Sequence, residues 1–304
     1  MRLVVGTRGS PLALWQTNHV AGLLRALHPG IDIETRTIHT EGDVDRDSPL
    51  GTLPRGLFAQ ALEAALASGE IDFAVHSFKD LAVEVDPSFA IAAITKREDP
   101  RDVLVAPGYD SLASLPAGSR LGTGSPRRTA QMKAHRPELT MVPVRGNVGT
   151  RIEKAQGPDL TGVIVAAAGV HRLALQSHVT EYLDPEIFLP EAGQGSIAVE
   201  TRADDVRTRE VVAVADDAKA RAEVTAEVVA VRALGGGCTS PFATHARADN
   251  GRLRLRGMLA TPDGARIVRA VASGSSSEPE EVARQLIARL YEAGAEEVLM
   301  AEQQ

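Results

Sequence analysis

Residues 73 to 80, Phe73-Ala74-Val75-His76-Ser77-Phe78-Lys79-Asp80, bring a hydroxyl, an ammonium and a carboxylate together directly behind an apolar run. Ile71 to Val75 reads as a short buried strand, because it follows the Gly69 break and ends in polar residues. In open α/β sheets ligands sit beyond the carboxyl ends of the strands, so Ser77, Lys79 and Asp80 form a candidate site. Lys79 beside Asp80 favours an ionised carboxylate, which can steady a developing cation or relay a proton. Taken alone, the same pair describes a solvated turn with an ordinary ion pair.

Arginine at strand ends is a second pattern. Gly6-Thr7-Arg8-Gly9-Ser10-Pro11 places Arg8 between a strand and a helix whose N-cap is Ser10 and whose first residue is Pro11. Free helix N-terminal amides beside Arg8 suit an anionic group. Gly122-Thr123-Gly124-Ser125-Pro126-Arg127-Arg128 repeats the arrangement, now with two arginines in the first helical turn, where cations oppose the helix dipole and a bound anion accounts for them. Arg145 and Arg151 follow the strand Met141–Val144, and Arg172 follows the strand Gly162–Ala168. Convergence of Arg8, Arg127, Arg128, Arg145, Arg151 and Arg172 would make a site for a ligand bearing several carboxylates. The third feature is Cys238, with Gly235-Gly236-Gly237 before it and Thr239-Ser240-Pro241 after it, a loop with room for something bulky to approach or attach. As the one cysteine it forms no internal disulfide, redox pair or metal cluster, and a buried inert thiol is its ordinary reading.

The elements that must position these residues alternate. A strand at Leu3–Val5, a helix with Leu12, Trp15, Leu23 and Leu27 at helical spacing, a strand at Ile31–Ile38, a polar loop from His39 to Arg55 and a helix at Gly56–Ser68 precede the opening stretch and make a βαβαβ unit. Lys96–Arg101 is charged and broken by Pro100, and reads as an interdomain hinge; Leu189–Gly195 reads as the return, after which Ser196–Glu200 rejoins the first domain as a strand. Two crossings between two α/β lobes permit a hinged cleft. Residues 205 to 233 are helical by pattern, and Phe242–Ala248, Leu253–Ala260 and Arg266–Ala272 read as a meander closed by a helix from Pro279 to Ala293.

Length and charge bound the function. At 304 residues, two or three domains are expected. A net charge of -7 argues against a general nucleic-acid or membrane-surface binder, whose footprint is basic. Lysine supplies only Lys79, Lys96, Lys133, Lys154 and Lys219 of the 33 basic residues, so arginine dominates, as base composition or bidentate carboxylate binding would each produce. The absence of a signal-peptide core, of a membrane-length apolar run and of paired cysteines fits a cytoplasmic protein.

Gly6–Leu14, Arg55–Phe58, Ala74–Asp80, Arg97–Asp102, Gly122–Arg128, Val144–Arg151, Gly193–Gly195 and Gly236–Cys238, in this order and spacing, resemble the porphobilinogen deaminase (hydroxymethylbilane synthase) family over essentially the whole chain. The resemblance implies two lobes similar to periplasmic binding proteins with a hinged cleft, and a small α+β C-terminal domain: residues 1–96 with 196–214, residues 97–195, and residues 215–304 carrying the cofactor attachment. It implies a dipyrromethane cofactor bound through a thioether to Cys238. Porphobilinogen is the implied substrate, four units being condensed head to tail with loss of ammonia before hydrolysis to hydroxymethylbilane. Asp80 would face the pyrrole nitrogens and stabilise the cation formed as ammonia leaves. Arg8, Arg127, Arg128, Arg145, Arg151 and Arg172 match positions that bind the acetate and propionate side chains, with Ser10, Ser77, Lys79, Thr123 and Ser125 as neighbours and Gln16, Arg55, Phe58 and Gln194 in support. A monomer without metal, nucleic acid or membrane partner is implied. The chain departs from the family pattern at Pro54, Ala82, Pro126 and Val228, and around Thr239–Phe242, all outside the cysteine, the aspartate and the arginines. The competing class is a two-lobed small-anion binding module without catalysis, which uses the cleft and arginines but neither Asp80 nor Cys238.

Overall fold

The computed structural model describes residues 1–38, 59–84, 86–234 and 241–301; the expected loop 43–55, with Pro54 and Arg55, and also Phe58 and Cys238, lies outside the described residues. The chain opens with β1 (Arg2–Thr7), α1 (Pro11–Leu27) and β2 (Asp32–Thr37), followed by α2 (Gln60–Ala67), β3 (Phe73–Ser77), a 3-10 turn at Phe78–Asp80 and β4 (Phe89–Ile94). Next come β5 (Asp102–Val105), β6 (Arg120–Gly122), α3 (Pro126–His135), β7 (Thr140–Val142), α4 (Val148–Lys154), β8 (Gly162–Ala166), α5 (Ala167–Arg172) and β9 (Glu181–Tyr182). After them the chain forms β10 (Ile197–Arg202), α6 (Val206–Ala213) and α7 (Ala218–Ala233). It ends with β11 (Phe242–Asp249), β12 (Arg252–Ala260), β13 (Ile267–Ser275), α8 (Pro279–Glu292) and α9 (Ala295–Met300).

Two compact units result. The described residues up to Glu98 with Gly195–Arg221 form one, and Asp99–Gln194 with the described residues from Ala222 onward form the other. The first is built on a five-stranded sheet of order β2-β1-β3-β10-β4, the second on one of order β7-β6-β8-β5-β9. In each, three strands run parallel through βαβ connections, and the fourth, the strand that follows a crossing of the chain, is antiparallel to its neighbours: β10 against β3 and β4, β5 against β8 and β9. The sheets are therefore mixed rather than wholly parallel. The second unit also contains the three-stranded antiparallel sheet β11-β12-β13, whose inner face packs on Val282, Leu286 and Leu290 of α8.

Local chemistry sets the element boundaries. Ser10 and Ser125 cap α1 and α3 by accepting from Ala13 N at 3.2 Å and Arg128 N at 3.4 Å, with proline next in each case, where the missing N–H costs nothing. The buried face of α1 is Ala13, Gln16, Thr17, Val20, Ala21 and Leu24, not the Leu12/Trp15/Leu23/Leu27 stripe expected from the large apolar residues; Trp15 and Leu27 are exposed. The core on this side of the sheet is reached by Val20, Ala21 and Leu24, which pack with Leu3, Val5, Phe73 and Val75. The single helix expected over 205–233 is broken at Val214–Asp217: Asp217 caps α7 by accepting from Ala220 N, and Asp216 ties the break to β4 by accepting from Ile94 N at 2.7 Å.

The crossing segments are fixed by backbone contacts. Glu98 N donates to Gly195 O and Thr95 N to Ile197 O. Gly195 has φ +91°, and a β-carbon there would lie 2.3 Å from the Glu98 carbonyl oxygen. Gly195→Ala is expected to cost roughly 1–3 kcal/mol from backbone strain alone, measured as a lower urea midpoint at unchanged slope.

Candidate active site

The first unit gathers one group of chemistry-bearing residues. β1 and β3 are parallel neighbours, with Val5 opposite Phe73 and Gly6 opposite Ala74, so both strands release their chains at the same sheet edge. Arg8 and Ser10 follow β1; Ser77, Lys79 and Asp80 follow β3, the last two in the 3-10 turn. All five are half-buried. The turn is held by Phe78 N donating to Ser196 O and Leu81 N donating to Phe78 O. Gln16, 2 % exposed on α1, donates through Nε2 to Ser77 Oγ at 2.8 Å, fixing the hydroxyl two residues before Lys79. Behind them, His76 Nε2 lies 3.0 Å from Glu200 Oε2, a buried contact between β3 and β10.

The second unit gathers another. Thr123 and Ser125 follow β6, Arg145 follows β7 and Arg172 closes α5 after β8, three neighbouring parallel strands again ending at one edge. Thr123 Oγ1 accepts from Ser125 N, and Val144 N donates to Thr123 O. Arg151 Nε donates to Gly146 O at 2.8 Å and Lys154 Nζ to Arg145 O, so the 145–154 segment is internally braced.

Arg127 and Arg128 are 4 % and 7 % exposed, and the anion facing them is partly supplied by the protein itself. Asp102, the first residue of β5, accepts from Arg127 Nη1 at 2.8 Å on one oxygen and from Arg128 Nη2 at 2.7 Å on the other. Gln194 Nε2 also donates to Asp102, at 2.8 Å, and to Pro100 O at 2.7 Å. Arg127 further donates to Leu189 O and Arg128 to Ile164 O. Burial by itself would raise the Asp102 pKa; the charges of Arg127 and Arg128 and their hydrogen bonds outweigh it and hold the carboxyl well below the ordinary range. One buried carboxylate against two buried guanidiniums leaves one positive charge in surplus. Among the described residues, Arg127 Nε and Nη2 and Arg128 Nε are buried without an acceptor.

Sequence reasoning missed Asp102, which stands at the end of a matched segment but looks like an ordinary hinge residue. It also missed Glu227, which is fully buried and accepts from Gly193 N and Ala246 N at 2.7 Å each, tying α7 to the return segment and to β11. The signal for each was available only as a carboxylate in an otherwise apolar setting, Asp102 before Val103-Leu104-Val105 and Glu227 within an alanine- and valine-rich helix.

Each α/β lobe thus carries arginine and hydroxyl side chains after its parallel strands, and the first also carries a carboxylate in the 3-10 turn after β3. Comparison with known families sharpens this: the model for "Porphobilinogen deaminase, dipyromethane cofactor binding domain" matches residues 3–210, and that for "Porphobilinogen deaminase, C-terminal domain" matches residues 221–292. The chain belongs to the porphobilinogen deaminase family, transferases that carry a dipyrromethane cofactor and condense porphobilinogen with release of ammonia. Among solved structures it is similar to the methionine binding protein MetQ, at 13 % identity and TM-score 0.45 over 78 % of this chain and 96 % of that one. It is also similar to a probable amino-acid ABC transporter extracellular-binding protein from Bacillus subtilis, at 10 % identity and TM-score 0.42 over 71 % and 90 %. No helix among the described residues is long and apolar enough to cross a membrane.

Asp102→Asn is expected to lower stability by about 3–5 kcal/mol, because it leaves two buried guanidiniums uncompensated. The pH dependence follows from the depressed pKa. The Asp102 contribution is complete above the unfolded-state value of about 4 and is lost as pH falls below it towards the folded-state value. Chemical denaturation from pH 7 to pH 3 should therefore show a loss of stability below pH 4 that is smaller in the asparagine variant; identical acid profiles would remove the carboxylate from this role.

Proposed function

We propose that Asp80 is the catalytic carboxylate of this transferase, that Cys238 anchors the dipyrromethane through a thioether, and that Arg8, Arg127, Arg128, Arg145, Arg151 and Arg172 hold acetate and propionate groups. The observation that carries the reading is the buried surplus of positive charge at Arg127 and Arg128, with three donor nitrogens lacking an acceptor among the described residues. A carboxylate is the acceptor that a guanidinium fork fits, and dipyrromethane carries acetate and propionate on each ring. When bound, it supplies the free pyrrole α-carbon to which substrate units are joined.

The chain's own residues do the rest. Arg127 and Arg128 present their remaining N–H groups from a fixed position, because Asp102 takes one nitrogen of each. Gln194 acts through Asp102 and is a positioning residue. Thr123 and Ser125 offer neutral donors at the same strand edge; at the start of α1 Ser10 offers a hydroxyl and Arg8 a guanidinium, where the helix amides favour an anion. Gln16 orients Ser77 beside Lys79 and Asp80. As ammonia leaves porphobilinogen, positive charge spreads over its pyrrole ring, and the Asp80 carboxylate stabilises that charge and accepts the proton released when the new carbon–carbon bond is made. Arg55 and Phe58 are assigned supporting roles from their motif. Residues 215–304 form the attachment module. The protein acts in the cytoplasm without nucleic-acid partners, a reading supported by its net charge of -7 and its single cysteine, and as a monomer, a reading that rests on the family resemblance alone.

Asp80→Asn should lower kcat by about 10²–10⁴-fold with little change in KM; wild-type turnover in this variant would remove Asp80 from the chemistry. Protein made in a host with a working tetrapyrrole pathway should carry a denatured mass excess equal to two condensed porphobilinogen units, absent in Cys238→Ser. An unmodified mass in both, with no porphobilinogen consumed, would favour an anion-binding module instead.

A further inference from the structure

The three-stranded sheet of the second unit has an outer face of two halves. At one end Ala243, Met258 and Ala260 pack with Ala130 and Leu189. At the other, Arg247, Arg252, Arg254 and Arg256, with His245 and Asp249, line an open groove of about 430 Å³, within the range of small-ligand sites.

Stability does not account for this arrangement. Arg247 stands directly across from Arg254 in the β11–β12 register, and like charges so placed destabilise an antiparallel pair. A solvent-facing sheet is better served by mixed charges. Asp249, opposite Arg252, supplies one acid at the end of the groove. Arg256 pairs with Glu186, and Arg269 donates to Ile187 O at 2.7 Å, so the arginines nearest the apolar half fasten the 186–187 segment. Even so, Arg256 Nε is buried without an acceptor among the described residues. Arg247, Arg252 and Arg254 make no ion pair or side-chain hydrogen bond with another described residue.

We propose that this groove binds a linear polycarboxylate, the chemical class of chain that this family assembles; the proposal rests on that activity. Arg252, Arg254 and Arg256 alternate along one strand and so span about 13 Å, with Arg247 beside the middle one. Each pyrrole unit brings an acetate and a propionate, so a short chain of them offers a row of carboxylates to this row of guanidinium forks. No Phe, Tyr or Trp lines the groove, which leaves stacked nucleobases without a platform. On a chain with net charge -7, the groove gives a polyanion a local place of attraction.

The test uses the cofactor-loaded full chain at low salt, with hexaglutamate as the probe in isothermal titration calorimetry and porphobilinogen turnover measured in parallel. Arg247→Ser/Arg254→Ser and Arg254→Glu should each weaken hexaglutamate binding by about tenfold or more at unchanged turnover. The glutamate variant, which converts a like-charge pair into an opposite-charge pair, should keep or raise the thermal midpoint. Equal affinity in wild type and both variants would overturn the proposal. So would tighter binding of tripolyphosphate or a single-stranded oligonucleotide than of hexaglutamate, or loss of turnover in the variants. A wild-type chain that turns over no porphobilinogen would instead overturn the activity on which the proposal rests.

Discussion

One carboxylate organises the second lobe. Asp102 receives Arg127, Arg128 and Gln194, which come from a helix N-terminus and from the return segment, while Asp102 itself begins the strand that follows the first crossing. Guanidiniums this deeply buried are tolerated only when paired and hydrogen-bonded. The position of Asp102 therefore fixes where α3 starts relative to β5, and it decides which nitrogens of the two arginines remain for an outside anion. Binding capacity and folding stability are two uses of the same charges.

The first lobe has a related device of different chemistry. Its crossing strand β10 carries Glu200, fully buried, in contact with His76 on β3, the strand that ends at Ser77 and delivers Lys79 and Asp80. In both sheets a buried acid sits on the antiparallel strand and holds a cationic or ionisable partner from the parallel set. What differs is the number of partners. Asp102 faces two permanent cations and is outnumbered, whereas Glu200 faces one histidine.

Much of the fold was legible because its punctuation is local. The Ser-Pro caps at 10–11 and 125–126, the glycine turns before them and the alternating strands β11 to β13 follow from short-range stereochemistry, and the structure places all of them as expected. Asp80, Arg8 and the other strand-end arginines could be nominated for the same reason, since strand ends are visible in sequence. The register of long-range partners was not legible. Nothing near Asp102 says that Arg127 and Arg128 lie across the sheet from it, and nothing in α1 says that the helix turns Gln16 rather than Trp15 inward. Helical spacing groups Trp15 with Leu12, Leu23 and Leu27, but the face that packs on the sheet is the one carrying Val20 and Leu24, and spacing by itself does not choose between them.

The sheet order carries a consequence for how the molecule comes into being. All strands of the second five-stranded sheet lie within Asp102–Tyr182, so that sheet can close as soon as its own stretch has been made. The first sheet cannot, because β10, which separates β3 from β4, belongs to residues 197–202, and β4 has β10 as its hydrogen-bonded neighbour. During synthesis the lobe that begins first must wait with a gap beside β3 until the ribosome has passed residue 202, while the later lobe completes its sheet ahead of it. The strand that leads into the Asp80 turn thus lacks one of its two neighbours until β10 has been made.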